Sequence, residues 1–164
     1  MAPLRRSLSC VTDAQLIVSS SGKPGDLEAL TLSAEPLALR SWVPGGLHLR
    51  LRQQFRLVQE GQSSWHVSTA AYSYRLDDGA GGELAAWHWH PTSRVDYPHV
   101  HVAAGPIGGR VHLPTGRVSI ESVLRLLLTD LGVPERRADF LDVLAEAEGP
   151  FIKHRRWHAA GPPA

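Results

Sequence analysis

A one-sided apolar stripe near the end of the chain constrains the fold most. Ser119 and Glu121 make a good helix start, because a serine side chain caps free backbone N–H groups and an acidic residue suits the first turn. Gly132 suits the left-handed residue after a helix, and Pro134 prevents continuation. The stripe falls at helical spacing and consists of Ile120, Val123, Leu124, Leu127, Leu128 and Leu131. Such a face has to be buried, so the sequence predicts a helix over residues 120–131 that packs on another layer.

Strand-like patterns occupy the preceding 118 residues. Leucines at every second position from 47 to 51 alternate with His48, Arg50 and Arg52, which is typical of a half-buried strand with a basic outer face. A change in the pattern at Gln53–Gln54 predicts a bulge. Turn-forming residues bound further runs of strand-like sequence, so strands are also predicted over residues 15–18, 27–32, 65–76 and 83–90.

The order of these elements predicts the fold class. Strands come first and helices last, with a second helix expected over residues 136–148 and ended by Gly149–Pro150. We therefore predict an α+β fold, in which an antiparallel sheet from the first two thirds packs against one or two C-terminal helices. The chain of 164 residues is the length of one domain, and residues 1–12 and 150–164 are expected to be flexible termini.

Composition narrows the class of protein. The net charge of +1 provides no overall field for a polyanion, so such a partner would have to meet a local patch. The single cysteine, Cys10, cannot form an internal disulfide, which is typical of a reducing compartment; we expect a weakly packed thiol and a cytoplasmic location. No apolar run reaches the roughly 20 residues that span a bilayer, so no membrane partner is expected.

Histidines are the most informative polar residues. The chain has nine, and four of them form two His-x-His units separated by eight residues: His88, His90, His99 and His101. Alternate side chains of a strand share a face, so each pair points one way, and Trp87, Trp89, Val100 and Val102 point the other way. If the two segments pair through the connection over residues 91–98, the four imidazoles converge on one side of the sheet, and the tryptophans and valines face the core.

Three kinds of chemistry can use such a cluster. Zinc binds imidazole nitrogen, and three histidines with an open position form a catalytic arrangement. Paired histidines act as general base and acid in phosphodiester cleavage, because their pKa values lie near neutral. The cluster could instead bind an anion together with Arg94 and Arg110. The structural alternative is a non-catalytic binding or scaffold module, in which the histidines form the solvent-exposed polar face of a strand and have no chemical role.

A zinc-hydrolase interpretation also rests on a short motif. The segment His88-x-His90-Pro91-x-Ser93-x-x-Asp96 resembles the His-x-His-Pro…Ser-x-x-Asp signature of JAMM zinc metalloproteases, although its spacer is shorter. That resemblance implies zinc ligands at His88, His90 and Asp96. With the second histidine pair, the predicted metal ligands are therefore His88, His90, Asp96, His99 and His101.

A wider pattern covers residues 46–131. It runs from a glycine-led strand through Tyr72-x-Tyr74, an Asp-Gly hairpin and the Pro98–Val102 segment to the helix start at Ser119. This order resembles the TumE-like toxin family of prokaryotic toxin–antitoxin systems. The resemblance implies a small α+β protein encoded beside a cognate antitoxin that would be its partner. From the acid–base chemistry of the histidine pairs, the catalytic candidates are His88, His90, His99 and His101, and RNA is the expected substrate.

Basic residues predict where RNA would bind. Arg50 and Arg52 lie on the outer face of the strand that starts at Leu47, and with Arg94 and Arg110 they are the predicted nucleic-acid-binding residues. Leu126 widens the apolar face of the helix, so a homodimer contact is a further prediction.

Overall fold

The computed structural model describes residues 2–19, 23, 25–62, 64–103 and 111–154. Its helices and strands are α1 (Ala2–Leu8), β1 (Leu16–Ser19), β2 (Glu28–Leu32), β3 (Leu37–Leu39), β4 (Leu47–Glu60), β5 (Ser64–Asp78), β6 (Glu83–Trp89), β7 (His99–Val102), β8 (Leu113–Pro114), α2 (Ile120–Thr129) and α3 (Phe140–His154). The predicted α+β class, with an antiparallel sheet followed by two C-terminal helices, is confirmed.

All strands of the described residues join one antiparallel sheet in the order β1-β2-β4-β5-β6-β7-β8, with β3 also paired to β4. The long central strands β4 and β5 carry leucine and tyrosine at alternate positions, and Leu49 and Tyr74 are buried. The helices cover this face, and the core joins Leu124 and Leu144 to those strands. The opposite face of β4–β8 has no helix over it in the described part of the chain, and the histidines lie there.

Helix α2 begins as predicted. The Ser119 hydroxyl accepts a hydrogen bond from the Ser122 N–H at 3.0 Å, and Gly132 has a left-handed φ of +62°. Ser119 also donates to the buried Glu148 carboxylate at 2.5 Å. The cap thus also ties α2 to α3, a link that the sequence pattern did not predict.

The second helix differs from its prediction at both ends. It begins at Phe140 rather than Arg136, and it continues through Pro150 to His154 instead of stopping at Gly149–Pro150. The backbone N–H of Arg136 is engaged by the Cys10 carbonyl at 2.9 Å, so this residue belongs to a tertiary contact rather than to a helical turn. Proline has a fixed φ that fits a helix, and its missing N–H removes one hydrogen bond without forcing an end.

Three short elements were not predicted, namely α1, β3 and β8. Helix α1 packs against α2 and α3, and the neighbouring Cys10 is fully buried rather than weakly packed. Burial raises the pKa of the Cys10 thiol, against the opposing effect of Arg137. The flexibility expected of residues 1–12 and 150–164 stays a prediction; residues 2–8 and 150–154 are helical, and residues 155–164 lie outside the described part.

The register of β4 and β5 shifts between Gln54 and Phe55, one residue after the predicted bulge. Gln54 pairs with Ala71 and Phe55 with Thr69, so the extra residue is Ala70 on β5. The bulge therefore lies on the partner strand, which a pattern in β4 alone does not reveal.

Candidate metal centre

Cross-strand pairing brings the two His-x-His units together. In the register of β6 and β7, His88 lies opposite His99 and Ala86 lies opposite His101. His88 is consequently close to its neighbours on the open face, with ring centroids 5.8 Å from His90, 5.6 Å from His99 and 5.0 Å from His101. The convergence of the four imidazoles that the alternation predicts is present.

The other side of these strands fits the prediction only in part. Trp89 is buried at 2% exposure, but Val102 is 42% exposed. The outer neighbour of β7 is strand β8, which has two residues and pairs with His99 and Val100. Strand β8 therefore does not extend to Val102 at the end of β7.

A fifth histidine completes the cluster. The register of β7 and β8 places Leu113 opposite Val100, so His112, one residue earlier, reaches the face that carries His101. Its ring centroid lies 4.7 Å from that of His99 and 4.5 Å from that of His101. Sequence reasoning missed His112 because it belongs to no His-x-His pair and precedes a strand of two residues.

Three of these histidines form a candidate ligand set. One ring nitrogen from each of His99, His101 and His112 lies within 4.8 Å of the others. Two ligands of one tetrahedral zinc ion, at about 2.0–2.1 Å each, are roughly 3.4 Å apart. Side-chain movements on the order of 1 Å would close the set. His99 is buried, His101 is half-buried and His112 is exposed, so the group is open on the His112 side.

The hydrogen bond of His99 suits a metal ligand. Its Nδ1 lies 2.9 Å from the Tyr97 carbonyl oxygen, which can only accept. The neutral ring therefore carries its proton on Nδ1, and Nε2 keeps a free lone pair. A backbone carbonyl that holds the other ring nitrogen in this way is the usual support of a metal-bound histidine.

His101 provides the test of fit. Its Nε2 atom is buried and has no hydrogen-bond partner among the described residues, and a buried polar atom without a partner costs about 1–3 kcal/mol. Its Nδ1 atom lies 3.9 Å from a Glu83 carboxylate oxygen. A cation bound at Nε2 would satisfy the orphaned atom and lie across the ring from this carboxylate. The donor set thus fits a divalent transition metal.

Burial and mutual repulsion favour the neutral form of three histidines of the cluster. Burial lowers the pKa of His88 to about 4, with further lowering by His101, His90, His99 and His112. Burial also lowers the pKa of His90, assisted by His99 and Arg52, and that of His101, assisted by His112 and His99 and opposed by Glu83. Neutral imidazole is the form that binds metal.

The remaining predicted residues lie apart from the ligand set. Asp96 and Arg94 are exposed in the connection between β6 and β7, and among the described residues the group of converging ligand atoms does not include Asp96. A JAMM-type ligand role for Asp96 therefore has no geometric support, because bends and turns lead up to Asp96 in place of the helix on which that motif depends. Arg50 and Arg52 lie on the same open face two strands from β6, and Arg110 lies outside the described residues.

Comparison with models of known protein families, with curated proteins and with solved structures finds no match. The likeness to TumE-like toxins therefore stays a prediction. Among the described residues no helix has the length and apolar character to cross a membrane.

Proposed function

We propose that this chain binds one divalent transition-metal ion through His99, His101 and His112 and uses it to hydrolyse a substrate. The buried, unpartnered Nε2 of His101, within a set of three ligand atoms no more than 4.8 Å apart, is the observation that carries the proposal. Three histidine ligands leave an open position, at which zinc lowers the pKa of a bound water to about 7 and makes it a nucleophile.

His88 supplies the second part of this chemistry. Its ring is half-buried, lies 5.0 Å from the ring of His101, and has a pKa of about 4. It is therefore neutral at pH 7, and a neutral imidazole can accept a hydrogen bond from a water at the open position and orient it. His90 lies beside it, where its ring limits the positions that His88 can take.

The repulsion within the cluster favours this proposal over metal-free catalysis by paired histidines. General acid–base cleavage requires one protonated imidazole next to a neutral one. The pKa values of His88, His90 and His101 are all lowered, so protonation is unfavourable at three of the five histidines. A metal ion, in contrast, requires neutral rings.

Metal content of tag-free protein tests the proposal. We expect about one equivalent of zinc or a similar ion in wild type, as three donors and one open position hold one ion. His112→Ala should lose most of it while the protein stays folded, because His112 is exposed. His66→Ala, a change of the same kind on the exposed end of β5, is the control. Less than about a tenth of an equivalent in wild type would refute a three-histidine site.

A toxin that acts on RNA is the second candidate, and the arginines on the histidine-bearing face support it. Induced expression should then arrest growth, and His112→Ala and His101→Ala should relieve the arrest. A cognate antitoxin stays a prediction that belongs to this candidate, and the homodimer and the cytoplasmic location also stay predictions. Growth unaffected by the wild-type chain would leave the metal proposal standing and remove this one.

A further inference from the structure

Two cross-strand rows connect the histidine cluster to arginines. One row runs through paired residues from β4 to β7 and consists of Arg52, Ser73, His88 and His99; the next consists of Arg50, Arg75, Ala86 and His101. Neighbouring strands are about 4.8 Å apart, so three steps place Arg52 roughly 14 Å from His99. Each row has one small residue between its ends, Ser73 in the first and Ala86 in the second.

The arginine end of the rows is positively charged. Asp77 is buried and pairs with Arg75 at 2.5 Å and with Arg50 at 3.4 Å, which holds both guanidinium groups at the surface. Arg52 is exposed beside them, and its charge contributes to the lowered pKa of His90. The cationic end therefore reaches the histidines.

An aromatic ring lies beside His99. Tyr97 is 41% exposed, and its ring centroid lies 5.9 Å from that of His99 in an edge-on arrangement. Exposed aromatic rings beside cationic residues are the platforms on which unpaired bases stack. Two groups therefore flank His99, with Arg52 in the same row across the sheet and Tyr97 two residues earlier along the chain.

The shape of this face favours an extended ligand. Small-molecule sites are concave and enclose most of their ligand. Two clefts of the described residues lie elsewhere, one beside α1 at Arg5 and Thr12 and the other between Arg40 and Arg136. An open sheet face with cations, an aromatic ring and a hydrolytic centre is suited to a polymer.

We propose that the ligand of this face is a single strand of nucleic acid that lies across β7, β6, β5 and β4. One base stacks on Tyr97, one phosphodiester lies at the three-histidine site, and the following phosphates run toward Arg52. The reaction rests on the proposed metal-dependent hydrolysis. The water oxygen attacks phosphorus, one P–O ester bond breaks, and the proton from water ends on the leaving oxygen, which leaves a phosphate monoester and a hydroxyl end.

Fluorescence anisotropy with 12-nucleotide labelled strands tests the inference. Unstructured RNA and DNA of the same sequence, and the DNA duplex, are titrated against metal-free and zinc-loaded protein. Tyr97→Ala should weaken single-strand binding about fivefold or more. Arg52→Gln should weaken it about threefold or more and reduce the salt slope by about 0.7. Arg40→Gln removes the same charge beside the Arg136 cleft and should bind as wild type.

The outcomes separate this inference from the metal proposal. Unchanged strand binding in both Tyr97→Ala and Arg52→Gln, or a duplex bound as tightly as a single strand, would overturn the inference even if zinc is present. Strand binding that depends on both residues in a protein that takes up no metal would support the inference and contradict the metal proposal. A cleavage assay with the same single strands then identifies the sugar that the site accepts. Cleavage of the RNA alone means that the site requires ribose, and cleavage of both the RNA and the DNA means that it accepts either sugar.

Discussion

Replacing Glu83 with glutamine tests whether this carboxylate supports the metal site through His101. The carboxylate oxygen lies 3.9 Å from His101 Nδ1, on the side of the ring away from the orphaned Nε2. Glu83 also lies 3.5 Å from Arg75, but Arg75 keeps its 2.5 Å pair with Asp77 when Glu83 is neutralised. Glutamine has the same shape, so the substitution removes the charge with little effect on packing.

The expected loss follows from this geometry. A dication bound at His101 Nε2 would lie across the ring, roughly 8 Å from the carboxylate oxygen that is 3.9 Å from Nδ1. Charges of +2 and −1 at that separation interact by about 1 kcal/mol in water and about 4 kcal/mol at an effective dielectric constant of 20. Glu83 and His101 have side chains that are 25% and 18% exposed, so neither limit applies. An intermediate value of about 2 kcal/mol is roughly a 30-fold loss of metal affinity, which lies within the 10- to 100-fold range usual for groups that orient a metal ligand.

Competition with a chelator of known zinc affinity measures this loss. Glu135→Gln, an exposed residue near the end of α2, is the matched control. The effect should disappear in a His101→Ala background, because Glu83 acts through that ring, and the double-mutant cycle isolates the coupling. An equal loss in both backgrounds, or no loss in Glu83→Gln, would refute the assigned role.

Two further predictions concern stability. The pKa of His88 is lowered to about 4 from 6.5, so between these values the unfolded chain takes up a proton that the folded chain does not. Urea unfolding of metal-free protein should therefore show that the free energy of unfolding falls from pH 7 to pH 5, more steeply in wild type than in His88→Gln. Equal slopes in the two proteins would contradict this. Ser119→Ala removes an N-cap worth about 1 kcal/mol and a hydrogen bond to charged Glu148 worth about 1.5–3 kcal/mol. Urea unfolding should therefore show a loss of about 2.5–4 kcal/mol with unchanged metal content, and a loss below about 1 kcal/mol would mean that the Glu148 bond contributes nothing.

The sequence was informative about the fold where a periodic pattern and a local cap agree. The α2 stripe with Ser119, and the alternation that starts at Leu47, predicted their elements closely because burial on one face dictates the spacing. Helix α1 and strands β3 and β8 are too short to show a period, and tertiary contacts hold them in place. The start of α3 could not be predicted for the same reason. The backbone N–H of Arg136 donates to the Cys10 carbonyl, a tertiary contact that no local pattern shows.

The candidate site was predictable as far as strand periodicity reaches. Alternation places His88 with His90 and His99 with His101, and antiparallel pairing then brings the pairs together. The third member of the ligand set, His112, depends on the pairing of β8 with β7, which spans a stretch without a pattern. The role of Asp96 rested on a motif match alone, and among the described residues Asp96 is not part of the group of converging ligand atoms.

The energetics of the cluster distinguish a functional site from a strand face whose histidines only contact solvent. A polar face that only meets water gains nothing from histidines that lower one another's pKa values, and threonine or serine would serve there without repulsion. Here burial reaches His99, whose exposure is 4%, and leaves His101 Nε2 without a partner among the described residues. The orphaned atom destabilises the metal-free protein, and an ion bound there would satisfy it. Zinc at a concentration 100 times its Kd should accordingly stabilise the fold by about 2.7 kcal/mol. His112→Ala should remove that gain, since the two buried or half-buried ligands that remain do not complete the set.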